Sequence, residues 1–447
     1  IPQDLFILMI SNMKFFTITT TLFLLVFSAQ AQVLSVKEQA VTINEVLTDR
    51  IDNLLPKLMD EAKIDCWLII SREYNEDPIL KTFLPAEWLS ARRTTMLVFY
   101  RYKKNESIHS YAIARYQVGK SIQAAWNPEK EPNQWKALSK LIDSLNPSQI
   151  ALNTSKDYGH ADGLHLTEFN ELKNAMTPSQ LTKVVSAEKL GVAWLETRTA
   201  KEMAFFPTLL SISHQIIKEG FSNRVIQPNK TSTNDLVWWF RQKVSDLGLS
   251  TWFHPSVEIQ RRISNEKDAI IRPGDLLHVD FGISYLRLNS DVQEHAYLLL
   301  PNETAVPAEL AAAFNKTNRL QDILTSNFKT GRTGNAILAA SIQQAKAEGI
   351  QPSIYTHPIG FHGHAAGTTI GMWDMQNGVP GAGDFPMNYR TAYSIELNAA
   401  TEIPEWKKSI RIMLEQDGYF DENGFRYIGG RQKEIYLIPR ASKTTGD

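Results

Sequence analysis

His278-Val279-Asp280-Phe281-Gly282 and Asn289-Ser290-Asp291-Val292-Gln293 read as the two arms of a β-hairpin. The two aspartates stand equidistant from a turn region near Tyr285-Leu286. A hairpin closing there sets Asp280 and Asp291 opposite each other, with Cβ atoms about 4.5–5.5 Å apart. Like charges so placed are destabilising, and a divalent cation between them removes the conflict. A second pair of strands repeats the arrangement. Glu396, in Tyr393-Ser394-Ile395-Glu396-Leu397, and Glu415, in Arg411-Ile412-Met413-Leu414-Glu415, are equidistant from a turn at Glu405-Trp406. Both lie in otherwise apolar strands, where an unpaired carboxylate is costly. One such pair is weak evidence, since acids are common; two are hard to produce by accident.

Around these hairpins the chain from about residue 190 alternates in blocks. Helical spacing covers 200–221 and 234–247, with capping residues from Thr231 to Asn234, and strand-like runs follow at 276–283 and 291–299. Helical patterns return at 308–328 and 335–348, and strands around 392–399 and 409–420. Helix pair, strand pair, helix pair, strand pair suggests an internal duplication. The expected form is a strongly bent sheet with helices outside and a cleft inside. The first half differs: apolar strands at 67–70, 95–100, 111–116 and 149–152 alternate with helical patterns at 51–62 and 135–145. That alternation argues for an α/β domain. It contains no convergent set of acids, histidines and nucleophiles; His160 and His165 flank Asp162-Gly163 in a polar loop.

The chain has 447 residues, 43% of them hydrophobic and 21% charged, the composition of a soluble globular protein of two or three domains. A formal net charge of −1 gives no broad case for nucleic acid or anionic membranes. Cys66 is the only cysteine and begins an apolar run, so it reads as a core thiol. Near the N-terminus, Met13-Lys14, an apolar run from Phe15 to Phe27 and Ala29-Gln30-Ala31 read as an export signal. Residues before Met13 read as translated upstream sequence, and the mature chain is expected to start near Gln32, outside the cytoplasm. Four threonines interrupt the apolar run, which argues against a membrane anchor.

The remaining chemical signal is His357-Pro358-Ile359-Gly360-Phe361-His362-Gly363-His364, three histidines in eight residues. It reads as a tight loop presenting imidazoles, the commonest nitrogen ligands of transition metals. Four carboxylates with one imidazole form an oxygen-rich site, suited to Mn²⁺, Fe²⁺ or Co²⁺ at least as well as Zn²⁺. No Gly-x-Ser-x-Gly or Cys/His signature points to a serine or cysteine nucleophile.

These residues resemble the creatinase/prolidase/aminopeptidase P superfamily of metallopeptidases, peptidase family M24, whose catalytic domain is the pita-bread fold. The match runs through Asp280 and Asp291 in the context Gly274-Asp275-Leu276-Leu277-His278-Val279-Asp280-Phe281-Gly282, then His357 with Gly360, His364, and Ser394-Ile395-Glu396. The resemblance implies an α/β creatinase-like domain over 32–188 and an α+β pita-bread catalytic domain over 189–440, with a tail at 441–447. It also implies two divalent metal ions, Mn²⁺ foremost, held by Asp280, Asp291, His357, Glu396 and Glu415. In this picture a metal-bridged hydroxide attacks, Glu396 carries the proton, His364 stabilises the tetrahedral oxygen and Arg411 helps position substrate. The implied activity is cleavage of Xaa-Pro bonds in small peptides, with no nucleic-acid or membrane partner and a homodimer as the assembly.

The pattern is not followed throughout. The last glutamate of the family follows Arg-Ile directly, whereas Met413-Leu414 intervene here, with Glu434 as the other candidate. A family histidine before the first Asp is replaced by Ile263-Ser264-Asn265, leaving His254 as a substitute from farther upstream. After Asp291 the usual Ile-Thr-Arg is Val292-Gln293-Glu294. Two rivals stay open: a metal-free creatinase-like carbon–nitrogen hydrolase, and an inactive pita-bread protein that binds peptides or a partner.

Overall fold

The structure, a computed structural model, describes residues 33–102, 107–262 and 268–439. The expected export segment, the Ile263-Ser264-Asn265 triplet and the tail over 441–447 lie outside the described residues. No helix among the described residues is long and apolar enough to cross a membrane.

The first lobe is a six-stranded sheet. Its strands are β1 (Cys66–Arg72), β2 (Thr94–Tyr100), β3 (His109–Ile113), β4 (Gln123–Ala124), β5 (Ile150–Leu152) and β6 (Val184–Ser186), in the order β4-β3-β2-β1-β5-β6. β1 runs antiparallel to β2 and parallel to β5, and all but its last residue are buried, as a continuous apolar run in a central strand requires. Cys66 is buried there, and burial pushes its thiol up to about 12, which suits a packing residue. The short strands β4 and β6 lack apolar runs of their own and were not foreseen. The helical stretch expected at 51–62 starts earlier: Ser35 and Glu38 form a capping box that begins a helix at Val36–Asp49. A π-helical turn at Arg50–Leu54 then leads into Leu55–Ala62.

The helix Glu188–Glu196 ends on a buried carboxyl. Burial pushes Glu196 up to about 8, against the opposing pull of an Asn388 hydrogen bond and the Arg198 charge. The folded chain thus holds a proton that the unfolded chain releases near pH 4.5, so stability falls as pH rises from there to about 8. Glu196→Gln, neutral at every pH, is expected to remove that slope and to melt above wild type at pH 8.5 while matching it at pH 5. Thermal melts at the two pH values check this; a parallel pair of curves would refute it.

In the second lobe the helices Ala200–Gly220 and Thr233–Asp246 lead into β7 (Ser256–Gln260), β8 (Leu276–Phe281), β9 (Ser284–Tyr285), β10 (Leu288–Asn289) and β11 (Val292–Leu298). The helices Ala308–Ser326 and Gly334–Ala347 lead into β12 (Gln351–Ile354), β13 (His357–Pro358), β14 (Thr391–Ser394), β15 (Leu397–Ile403), β16 (Lys408–Leu414), β17 (Asp417–Asp421), β18 (Gly424–Tyr427) and β19 (Tyr436–Ile438). The single bent sheet expected from the pattern is divided. The ladders are β19-β11-β8-β7, β12-β15-β16 and β13-β14-β17-β18, with a small β9-β10 hairpin. The division has a backbone cause. One long hairpin pairs β15 with β16 and β14 with β17 in a common register, but the chain leaves the ladder at Ile395-Glu396 and Glu415-Gln416, where it passes between sheets.

The registers decide the two acid pairs differently. Leu397 pairs with Leu414 and Ile395 donates its N–H to Gln416, so Glu396 stands opposite Glu415, as its spacing from the turn predicts. In the first hairpin Asp280 pairs with Gln293, not with Asp291. The turn residues are Leu286 and Arg287, both with positive φ (51° and 65°), one position beyond the expected centre. Asp291 therefore lies diagonal to Asp280 across the hairpin.

Candidate metal centre

The break between the sheets gathers the acids. Ligand atoms of Asp280, Asp291 and Glu415 lie within 4.8 Å of one another, as do those of His357, Glu396 and Glu415, and those of Asp291, His357 and His364. All five expected ligands thus share one cluster, and His364 touches it. His357 sits on a short strand, paired with Ser394, rather than in a loop as its glycine-rich surroundings suggested. Only His362 and His364 lie beyond the strand. Asn289 fastens this segment to the first hairpin, its Nδ2 donating to the carbonyls of Gly360 and Phe361.

Each group is aimed. His357 Nδ1 donates to the Pro358 carbonyl at 2.9 Å, which fixes the tautomer and leaves Nε2 as a bare lone pair. That Nε2 is buried without a hydrogen-bond partner, 3.8 Å from Asp291 Oδ2 and 3.7 Å from Glu415 Oε1. These separations exceed a hydrogen bond and suit two ligands that each stand about 2 Å from a shared cation. Asp280 Oδ1 and Asp291 Oδ1 are likewise buried and unpartnered. Ser394 Oγ donates to Glu415 Oε1 at 2.7 Å, which fixes that carboxylate. Burial, and after it the charge of Glu415, pushes the carboxyls of Asp280, Asp291 and Glu396 well above the ordinary range. A set of buried acids that repel one another, with an imidazole lone pair aimed among them, fits divalent cations by charge, donor type and orphaned atoms.

Several residues with no sequence signature complete the site. Asp417 is buried, and its Oδ2 takes the Asp291 N–H at 3.1 Å, fixing the backbone of that acid. The Tyr355 ring lies 5.5 Å from His357 and 5.6 Å from His364. Burial and the acids Glu396, Glu415 and Asp291 push the Tyr355 phenol up to about 12. Trp252 packs its indole 5.2 Å from the His364 ring, in the space left by Gly363, where a Cβ would meet the indole at 2.3 Å. From the first lobe, His160 reaches the rim, its ring 4.2 Å from that of His362.

Other expected residues stand apart. His254 is exposed and turned toward the helix Thr233–Asp246, with Nδ1 3.1 Å from Arg241 Nη1 and its ring against Trp238. Trp252, two residues earlier, takes the inward place. Arg411 is exposed on the strand face of Met413 and Glu415, and no described hydrogen bond or ion pair joins its side chain to the acids; its backbone bonds Gln260. Glu434 is exposed and outside the cluster, so the two-residue insertion before Glu415 leaves that residue in place as the fourth acid.

Residues 208–415 match the model of metallopeptidase family M24. No curated protein sequence matches the chain. Among solved structures it is similar to an X-Pro aminopeptidase from Thermotoga maritima, at 15% identity and a TM-score of 0.62, covering 86% of this chain and 100% of that one. It is also similar to an Xaa-Pro dipeptidase from Bacillus anthracis, at 17% identity and a TM-score of 0.57, covering 89% of this chain and 100% of that one. A dipeptidase from Mycobacterium ulcerans shares the fold at 15% identity and a TM-score of 0.58, over 89% of this chain and 99% of that one. Likeness at such identities concerns the fold, both lobes included. The matched segment spans all five clustered residues, so the second lobe carries the pattern of metallopeptidase family M24 together with its acids and His357.

Proposed function

We propose that this chain cleaves Xaa-Pro bonds in small peptides, with Asp280, Asp291, His357, Glu396 and Glu415 holding two divalent cations, Mn²⁺ foremost. The observation that supports it best is the unpartnered His357 Nε2, buried at ligand spacing from Asp291 and Glu415. Divalent cations would supply Lewis acidity, polarising a carbonyl and making water nucleophilic near neutral pH. The rest falls to the protein. Glu396, at the bend of the hairpin, is placed to take a proton and deliver it to the leaving nitrogen. His364, beside His357 and Trp252, is the donor for oxygen charge developing on the carbonyl. Trp252, Tyr355 and the His160–His362 pair give the cleft an aromatic rim that excludes water and receives a ring such as proline.

A panel of Xaa-Pro dipeptides, Xaa-Pro-Yaa tripeptides and their Xaa-Ala counterparts, assayed with Mn²⁺, Co²⁺ or Zn²⁺, tests this. Turnover restricted to the proline members and abolished by a chelator is the expected result. Turnover indifferent to chelation favours the carbon–nitrogen hydrolase, and none with any peptide favours the binding protein. The proposed export rests on Met13-Lys14, the apolar run after it and Ala29-Gln30-Ala31. Its readout is a mature N-terminus at Gln32, and a chain that keeps Met13 would overturn it.

A further inference from the structure

The two hairpins meet at Gln293. Its backbone N–H donates to the Glu415 carbonyl at 3.0 Å, and its carbonyl accepts from the Glu415 N–H at 3.4 Å. The side chain then turns to the acids. Nε2 gives one hydrogen to Glu415 Oε2 at 2.8 Å and the other to Glu396 Oε1 at 3.0 Å. On the far side, Gln293 Oε1 lies 2.9 Å from His278 Nε2. Gln293 and His278 are both buried, so neither bond is shared with bulk water.

The chemistry of the four groups fixes who donates. Two carboxylate oxygens accept, so the amide must present its NH₂ to them and its oxygen to His278. His278 then donates through Nε2, and its Nδ1 carries the lone pair; that atom has no partner. With the amide reversed, an oxygen would face two carboxylates and lose both bonds. The two glutamates thus set the sense of the amide, and His278 holds it there by donating to its oxygen.

We propose that Gln293, anchored at its amide oxygen by His278, is a positioning residue that fixes the rotamers of Glu396 and Glu415, so that each offers its other oxygen to the cations. Glu415 Oε1, the oxygen Gln293 leaves alone, is the one 3.7 Å from His357 Nε2. A threonine in place of Gln293 would have a single hydroxyl hydrogen to donate, enough for at most one of the two glutamates. The inference rests on the five-ligand reading above.

Mn²⁺ titrations of the metal-stripped full chain test it, comparing wild type with Gln293→Met, Gln293→Thr, His278→Leu and the double variant Gln293→Met/His278→Leu. Loss of an outer-shell partner lowers metal affinity about 10–100-fold, and Gln293→Met is expected to fall in that range, with Gln293→Thr between it and wild type. His278→Leu is expected to weaken binding less, and the double variant to match Gln293→Met alone, because His278 acts through the amide. In steady-state assays Gln293→Met is expected to lower kcat with KM held, since the amide does not face substrate. Should Gln293→Met misfold by circular dichroism, the Gln293→Thr and His278→Leu pair carries the same comparison. Variants that bind Mn²⁺ within twofold of wild type, or single losses that simply add, overturn the positioning role while leaving the five-ligand reading intact. A wild-type chain that takes up no Mn²⁺, Co²⁺ or Zn²⁺ overturns both.

Discussion

Glu396→Gln is expected to lower kcat/KM on an Xaa-Pro peptide by about 10²–10⁴-fold, the range for losing a positioned proton carrier. The exchange keeps volume and shape and takes away the group's ability to hold and release a proton. Glu396 is a sensitive place to make it. One oxygen is occupied by Gln293, and burial with the neighbouring Glu415 and Asp280 pushes the carboxyl well above its usual range, so its protonation is set by the cluster it serves. The fold is expected to survive, because the hairpin register around residue 396 is carried by Leu397–Leu414 and the Ile395-to-Gln416 hydrogen bond, all backbone. Steady-state kinetics at saturating Mn²⁺ give the rate, and a melting curve separates chemistry from stability. Activity within threefold of wild type, with an unchanged melt, would remove Glu396 from the reaction.

How much of this was legible depends on what kind of information a residue carries. The second hairpin could be read because its turn closes tightly through Pro404–Trp406 and a left-handed Lys407, so equal spacing from the turn means opposition across the strands. The first could not be read to the residue. Leu286 and Arg287 adopt positive φ without being glycine or asparagine, so nothing in their identity marks the turn, and the register moved Asp291 off Asp280 and put Gln293 opposite it. The acids still converge, because the second hairpin crosses at Gln293 and Glu415. Spacing along one hairpin carries no information about how two hairpins cross. For the same reason Asp417, Tyr355 and Trp252 were silent in the sequence: each is an ordinary residue whose role exists only once distant strands meet. The helix from Val36 differs, since Ser35 and Glu38 carry a capping signature that the hydrophobic period alone passes over.

The largest effect on stability is expected at Glu202, far from the acids in sequence yet tied to the segment that carries His357. Arg50, Arg198 and Glu202 are each about 1% exposed. Glu202 bridges both guanidiniums, with Oε2 2.8 Å from Arg50 Nη1 and Oε1 2.9 Å from Arg198 Nη1. Burial alone would push its carboxyl up; Arg198 and Arg50 overcome that and hold it below the usual range. Burial lowers Arg50 to about 10 against the pull of Glu202. Phe361 packs against both cations, its ring 4.8 Å from one guanidinium carbon and 4.9 Å from the other, and Gly360 leaves the room Arg198 occupies, since a Cβ there would meet the guanidinium at 2.9 Å. Glu202→Gln strands two buried charges, and breaking a buried pair this way costs about 3–5 kcal/mol. The variant is therefore expected to unfold at markedly lower denaturant and to bind Mn²⁺ more weakly, through loosening of the Gly360-Phe361 segment behind His357. Replacing all three together, Arg50→Met, Arg198→Met and Glu202→Leu, is expected to be near neutral, because it removes the desolvation cost along with the attraction. If Glu202→Gln unfolds within 1 kcal/mol of wild type, the two arginines are not relying on that carboxylate and the coupling to the His357 segment falls with it.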